Sequence, residues 1–278
     1  MTERQRRLAG VRVLVTRPEP AAGRLAEAFA GEGAKVFRVP ALAIVPVEDT
    51  HSAERLRERL ADVSAVVFTS VNAVEGFFGL MPDTVRDRLP EEVLAVGRAT
   101  ARALCLRAVA GVRTPSGRSD SEGLLACPQL SARRVAGRLV AVVKGEGGRD
   151  LLARELGSRG AEVLEANVYR RRAPERIAQM LGEVRESIDV VTATSAETLE
   201  NLLDAAPWTA SWLARRTVVT VSERVAGVAR ARNLSQVAVA RGADAASIVE
   251  ATVRAVAGLP HGCAMRGSAP PGRGQDGR

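Results

Sequence analysis

The chain has 278 residues, 46% of them hydrophobic, with three cysteines, two histidines, a single tyrosine and a formal net charge of +8. That length holds two ordinary domains or one large one, and the scarcity of histidine leaves no room for a His-centred triad or a multi-histidine metal site. The ends carry about half of the charge excess: Arg4, Arg6 and Arg7 stand against Glu3, and Arg266, Arg273 and Arg278 against Asp276. The mild surplus left on the body suits an acidic small molecule at least as well as nucleic acid, and with only 3% aromatics there is little to stack bases on.

Along the chain, MTERQRRLAG is basic but has no apolar signal core behind it, so the expected address is the cytoplasm. No apolar run reaches the ~20 residues of a membrane span. VRVLVT (11–16) reads as a strand, and the segment after it puts Leu25, Ala28 and Phe29 on one helical face, with Gly31 and Gly33 as stops. RVPALAIVPVED (38–49) alternates apolar residues around Pro40 and Pro46, as an edge or connecting strand does. His51 stands at a predicted helix start and reads as a surface residue. AVVFTS (65–70) and VLAVG (93–97) are further strands, and Cys105 falls in an apolar helical pattern as an expected core residue. Cys127 and Cys263 complete a set with no disulfide or zinc spacing.

RLVAVV (138–143) runs into a glycine-rich turn and a helix with Leu151, Leu152 and Leu156 on one face. AEVLEANVYRRR (161–172) is extended and ends at Pro174. IDVVTATS (188–195) and TVVTVS (217–222) are two more buried strands, with Trp208 and Trp212 packing near a helix end between them. Residues 258–278 are rich in Gly, Pro, Arg and Ser and read as a disordered tail. Nearly continuous apolar strands alternating with helices predict an α/β architecture built on parallel sheets.

A repeat underlies this order. An offset of 127 places Gly33-Ala34-Lys35-Val36 on Gly160-Ala161-Glu162-Val163 and Arg17 on Lys144; an offset of 125 places Ser70 on Ser195 and Gly97 on Ser222. Two similar α/β domains are therefore expected. The stretches 40–50 and 164–173 would pair as a two-stranded β-ladder joining them.

In open α/β sheets ligands gather at the carboxyl ends of strands. Those ends here carry Thr16-Arg17, Thr69-Ser70 with Asn72, Gly97 with Thr100, Thr194-Ser195 and Ser222-Glu223. After Val143 come Lys144, Gly145, Gly147, Gly148 and Arg149, a turn that can aim N–H groups at an anion. It lacks the full Walker and G-x-G-x-x-G patterns, and the bland reading is a plain strand–helix turn. The hydroxyls taken singly are ordinary helix caps.

The ordered pieces VLVTRPEPAAGRLAEAF, VVFTSVNAV, AVGRATARAL, VVKGEGGRDLLARELGSRGAEV, VYRR and VVTVSERVAGVAR resemble the uroporphyrinogen-III synthase family over about residues 11–257. The resemblance implies two similar three-layer parallel-sheet α/β domains joined by a two-stranded ladder, the chain starting the first domain with 11–39, building the second with 51–163 and returning to finish the first with 174–257. It implies a reaction without cofactor or metal on hydroxymethylbilane, a linear tetrapyrrole bearing acetate and propionate groups. That substrate is closed with inversion of ring D and loss of water to give uroporphyrinogen III. Tyr169 would lie on the return connector facing a cleft, as proton donor to the departing hydroxyl. Thr16, Arg17, Thr69, Ser70, Asn72, Gly97, Thr100, Lys144, Gly145, Gly147, Gly148, Arg149, Ser195 and Ser222 would bind substrate. The expected partners are that small molecule alone, with no nucleic acid and no membrane, a monomeric state, and room for a transient contact with hydroxymethylbilane synthase. Glu197 and Glu223 depart from the family pattern and are expected in first helical turns. The competing reading is a non-catalytic two-domain module that binds an acidic small molecule.

Overall fold

The computed structural model describes residues 6–19, 21–148 and 150–257; the tail reading for 258–278 and the role expected of Arg149 lie outside them. Contacts divide the chain into two units, one running up to Ala41 and resuming at Pro174, the other Leu42–Ala173. The first begins with β1 (Arg12–Val15), α1 (Ala21–Gly31) and β2 (Lys35–Arg38). The second then runs β3 (Ala43–Val45), α2 (His51–Arg59), β4 (Val63–Phe68), α3 (Val71–Leu80), β5 (Glu92–Ala95) and α4 (Arg98–Leu106). It continues through the short α5 (Ser121–Leu125) and α6 (Ala132–Val135) to β6 (Leu139–Gly145), α7 (Leu151–Ser158) and β7 (Glu162–Arg172). The chain returns to the first unit with α8 (Ile177–Val184), β8 (Val190–Ala193), α9 (Ala196–Leu203), α10 (Thr209–Leu213), β9 (Thr217–Thr220), α11 (Glu223–Ala231), β10 (Val237–Val239) and α12 (Ala245–Ala257).

Each unit holds a five-stranded sheet, β10-β9-β8-β1-β2 in the first and β3-β7-β6-β4-β5 in the second. Strands β6, β8 and β9 are buried along their whole length because both faces are covered, which is why they read as nearly unbroken apolar runs. In the second unit Val66 and Phe68 face one core and Ala65 and Val67 the other; in the first, Val191 and Val190 divide in the same way. Three layers result in each.

The repeat is kept down to the register. Arg12 pairs with Lys35 as Leu139 pairs with Glu162, both 127 residues on. Ala65 pairs with Glu92 as Val190 pairs with Thr217, both 125 residues on. Even β10 has a trace of a counterpart: the single bridge between Leu94 and Arg113 lies 125 residues before the pairing of Val219 with Ala238.

Three readings need correction. The strands β2 and β10 carried no clear strand signal, because short, partly exposed edge strands mix polar and apolar residues. The stretch expected only as a connector is an eleven-residue strand: β7 runs parallel to β6 as far as Tyr169, and only Arg170–Arg172 pair antiparallel with β3. Cys105 is exposed, since α4 buries Thr100, Ala103 and Leu104 and turns Cys105 and Leu106 outward.

Candidate functional site

At the strand ends of the first unit most donors are already engaged. Thr16 is fully buried and its hydroxyl donates to the Thr192 carbonyl at 2.5 Å, tying β1 to β8. Arg17 donates to the Ala243 carbonyl at 3.0 Å, and burial, with Arg24 adding to it, lowers its pKa from the ordinary guanidinium value. Ser195 caps α9, accepting from the Thr198 N–H at 3.0 Å and sharing a 2.8 Å bond with the Thr198 hydroxyl. Ser222 caps α11 through a longer 3.4 Å bond from the Val225 N–H. Glu197 and Glu223 both occupy first turns, where the helix dipole favours a carboxylate.

In the second unit Gly97 is the N-cap of α4, with extended backbone, and borders an open depression of about 680 Å³. Thr100, only 3% exposed, lines it together with Thr114, Ser116 and Ser119. A Cβ on Gly97 would stand 2.9 Å from the Ser119 hydroxyl oxygen and 3.0 Å from its Cβ, so a larger residue there would have to displace the Ser119 side chain.

The other expected residues of this unit converge on Tyr169. The register between β6 and β7 shifts there: Lys144 faces Asn167, but Gly145 faces Tyr169, leaving Val168 without a partner. A bulge of this kind re-aims the following side chain. Val168 and Tyr169 are consecutive yet both buried in the same core cluster. The tyrosine ring lies over Gly145, where an added Cβ would come within 2.5 Å of Cζ. The Glu146 N–H donates to the Tyr169 carbonyl at 2.9 Å, which fixes the backbone beneath the ring. On the other flank Gly76 lets α3 settle onto the bulge, its absent Cβ position 2.5 Å from the Val168 carbonyl oxygen.

This close approach brings the α3 cap to the phenol. Ser70 Oγ accepts from the Ala73 N–H at 3.0 Å and stands 3.2 Å from Tyr169 Oη. Tyr169 lines two cavities. One, about 240 Å³, is largely apolar, with Ile44, Pro46, Leu80 and Val168 beside Asn72. The other, about 150 Å³, is lined by Thr69, Ser121, Lys144, Gly148 and Arg171.

Lys144 is buried but not isolated, as it donates to Glu165 at 2.7 Å and Asp150 at 3.1 Å. Burial alone would lower its pKa; the two carboxylates outweigh that and hold it above the ordinary lysine value. It is therefore a cation whose field is largely spent inside the protein. Thr69 likewise spends its hydroxyl on the Val143 carbonyl at 3.0 Å. Gly147 turns the loop with φ 65°.

Thus Thr69, Ser70, Asn72, Lys144, Gly145 and Gly148 gather around Tyr169, Gly97 and Thr100 border a separate depression, and Thr16, Arg17, Ser195 and Ser222 belong to the other unit. The run Arg170–Arg172 reads in the sequence as a solvated strand end able to add positive field to a nearby cleft, and Arg171 does line the smaller cavity. Sequence reasoning missed Gly76 and Glu165. A glycine inside the helical pattern VEGFFG was the one local sign that a backbone approaches closely there.

Two five-stranded sheets, parallel but for the β3–β7 pairing, with helix caps and glycine turns at the strand ends, define an α/β protein of two similar units. The family profile described as uroporphyrinogen-III synthase HemD matches residues 23–250. Uroporphyrinogen-III synthase from Escherichia coli is 31% identical over 248 residues, covering 86% of this chain and 98% of the relative. The Salmonella typhimurium enzyme of the same name is 30% identical over 246 residues, with the same coverage. The chain belongs to the uroporphyrinogen-III synthase family. Its fold is also that of the Helicobacter pylori uroporphyrinogen-III synthetase crystal structure, with TM-score 0.56 and 12% identity over 88% of this chain and 98% of that one. A Thermus thermophilus uroporphyrinogen III synthase mutant gives TM-score 0.54 at 18% identity, covering 89% and 99%.

Proposed function

We propose that this uroporphyrinogen-III synthase closes hydroxymethylbilane to uroporphyrinogen III with Tyr169 as the proton donor to the departing hydroxyl. The substrate loses water to leave a positively charged azafulvene-like end. Ring D attacks it through its substituted carbon to give a spiro-pyrrolenine, which reopens and recloses with ring D inverted. One water leaves, and the proton given by the phenol is recovered when the new pyrrole carbon loses its own. The phenolate formed in between stabilises the cationic intermediate.

The observation that carries this reading is that the chain's only phenol lines two cavities, with its hydroxyl bonded to a helix-cap serine. Such a substrate closes to the unflipped isomer unaided, so the protein's task is to hold the chain bent, which asks for many donors and little acid–base machinery. Its carboxylates are best met by first-turn N–H groups, such as those of α4 behind Gly97, together with Thr100, Asn72 and the Gly147–Gly148 turn. Ser195 and Ser222 mark the equivalent turns of the first unit, and Arg17 adds charge there. Thr16 and Thr69 shape the strand ends rather than touch substrate, because their hydroxyls are committed to backbone carbonyls.

We take the two units as the enzyme's two domains, acting as a monomer in the cytoplasm on this one small molecule. Among the described residues no helix is long and apolar enough to cross a membrane.

The test supplies hydroxymethylbilane without nucleotide or metal and measures the ratio of isomer III to isomer I after oxidation to the porphyrins. Isomer III is expected to dominate; an unchanged ratio ends the reading. Tyr169→Phe keeps the ring and its packing and is expected to slow isomer III formation by roughly a hundred-fold. A fully active phenylalanine variant removes Tyr169 from the chemistry.

A further inference from the structure

We infer that Ser70 is a positioning residue for Tyr169: it donates its hydroxyl proton to the phenol oxygen, so that the phenol's own proton points away toward substrate. This rests on the reading of Tyr169 given above.

The serine hydroxyl has one proton and two lone pairs. One lone pair is taken by the Ala73 N–H at 3.0 Å, which orients the hydroxyl at the N-terminus of α3. The bond between Ser70 Oγ and Tyr169 Oη, 3.2 Å, can run either way. Were the phenol the donor, its proton would be spent inside the protein and Tyr169 would be a structural tie. With serine as donor, the phenol oxygen accepts one bond and keeps its proton free for a leaving hydroxyl. The phenolate left behind then faces the serine O–H, which is itself polarised by the N–H groups and positive dipole end of α3.

Three further features keep this pair in one geometry. The bulge at Val168 aims the ring, Gly145 admits it from below, and Gly76 brings α3 within reach. Each would be an unexplained irregularity in a tyrosine that merely filled a core. The charged residues lining the two cavities beside Tyr169 are Lys144, Arg171 and Glu75. Lys144 is bound to Glu165 and Asp150, and Glu75 to Arg107, while Ser70 bonds the phenol oxygen directly.

The single tyrosine makes the direction of this bond measurable. The Fermi doublet of the phenol in the Raman spectrum comes from Tyr169 alone, and its intensity ratio separates an accepting hydroxyl from a donating one. The full chain and three variants are compared. Ser70→Ala removes both the cap and the bond. Ser70→Asp keeps a cap but has no proton to give, and Ser70→Thr keeps both.

The wild type is expected to show an accepting phenol, and so is Ser70→Thr. Ser70→Ala and Ser70→Asp should lose that signature. For Ser70→Ala, kcat for isomer III should fall roughly ten- to a hundred-fold, the size of one hydrogen bond to a charged group, with KM little changed and Ser70→Thr restoring the rate. If Ser70→Ala does not fold, the capped Asp variant carries the spectroscopic comparison. A wild-type phenol that donates into Ser70, or a doublet and kcat untouched by Ser70→Ala, overturns the inference while a slow Tyr169→Phe leaves the acid assignment standing. A fully active Tyr169→Phe overturns both.

Discussion

Gly145→Ala tests the placement of the tyrosine most directly. An added methyl would sit 2.5 Å from Cζ, 2.7 Å from Cε2 and 3.0 Å from Cε1 of Tyr169. Ordinary contact begins near 3.4 Å, so the ring must retreat by about an ångström. Retreat of that size breaks the 3.2 Å approach to Ser70, because the hydroxyl moves with the ring. Overpacking of this kind costs about 1–3 kcal/mol, which lowers the melting midpoint by about 3 °C per kcal/mol in a unit of this size. Misplacing a reacting group by an ångström costs about a hundred-fold in rate. Thermal unfolding and the rate of isomer III formation, measured on the same preparation, give both numbers. The clash should vanish when the ring is removed, so Gly145→Ala in a Tyr169→Leu background should cost little further stability. Wild-type stability and rate in the single variant would show that the ring does not lie over Gly145, and the site geometry would be wrong.

Other expectations follow from the same contacts. Gly76→Ala, a change that normally stabilises a helix interior by about 0.5–1 kcal/mol, should here destabilise by about 1–3 kcal/mol, because the methyl meets the Val168 carbonyl at 2.5 Å. A raised melting midpoint would contradict the close approach of α3. Glu165→Gln leaves the buried Lys144 with only the exposed Asp150 carboxylate as anionic partner and should cost about 1–3 kcal/mol in denaturant unfolding; no loss would mean the lysine is better hydrated than its burial indicates. Asp189 accepts from the Arg12 backbone N–H and guanidinium, and although burial alone would raise its pKa, those bonds hold it below the ordinary carboxylate value. A depressed folded pKa stabilises the fold above the unfolded value near 4, and that contribution fades as pH falls through the folded value. Both partners are more than a third exposed, so solvent screening limits the gain to about 1 kcal/mol or less. Asp189→Asn should flatten the acid side of the stability–pH curve by that amount, and an unchanged curve would refute the assignment.

Five of the six central strands, β1, β4, β6, β8 and β9, could be found in the sequence because they are buried almost throughout, and burial on both faces favours nearly continuous β-branched and apolar runs. The duplication was visible for a related reason: two segments that must pair in the same register keep glycine stops and helix faces at the same spacing. Strand ends followed by Ser, Thr and Gly likewise announced helix caps, since capping is decided within four residues of chain. The tertiary structure alone decided which of those groups are free to act. Thr16 and Thr69 turn out to be spent on carbonyls, Lys144 on two carboxylates, and β7 to be a sheet strand with a bulge. Those outcomes depend on contacts between residues tens of positions apart, as Ser70 and Tyr169 are. Hydrogen-bond partners at that distance leave no periodicity in the sequence, because nothing in the local chain has to repeat for them to meet.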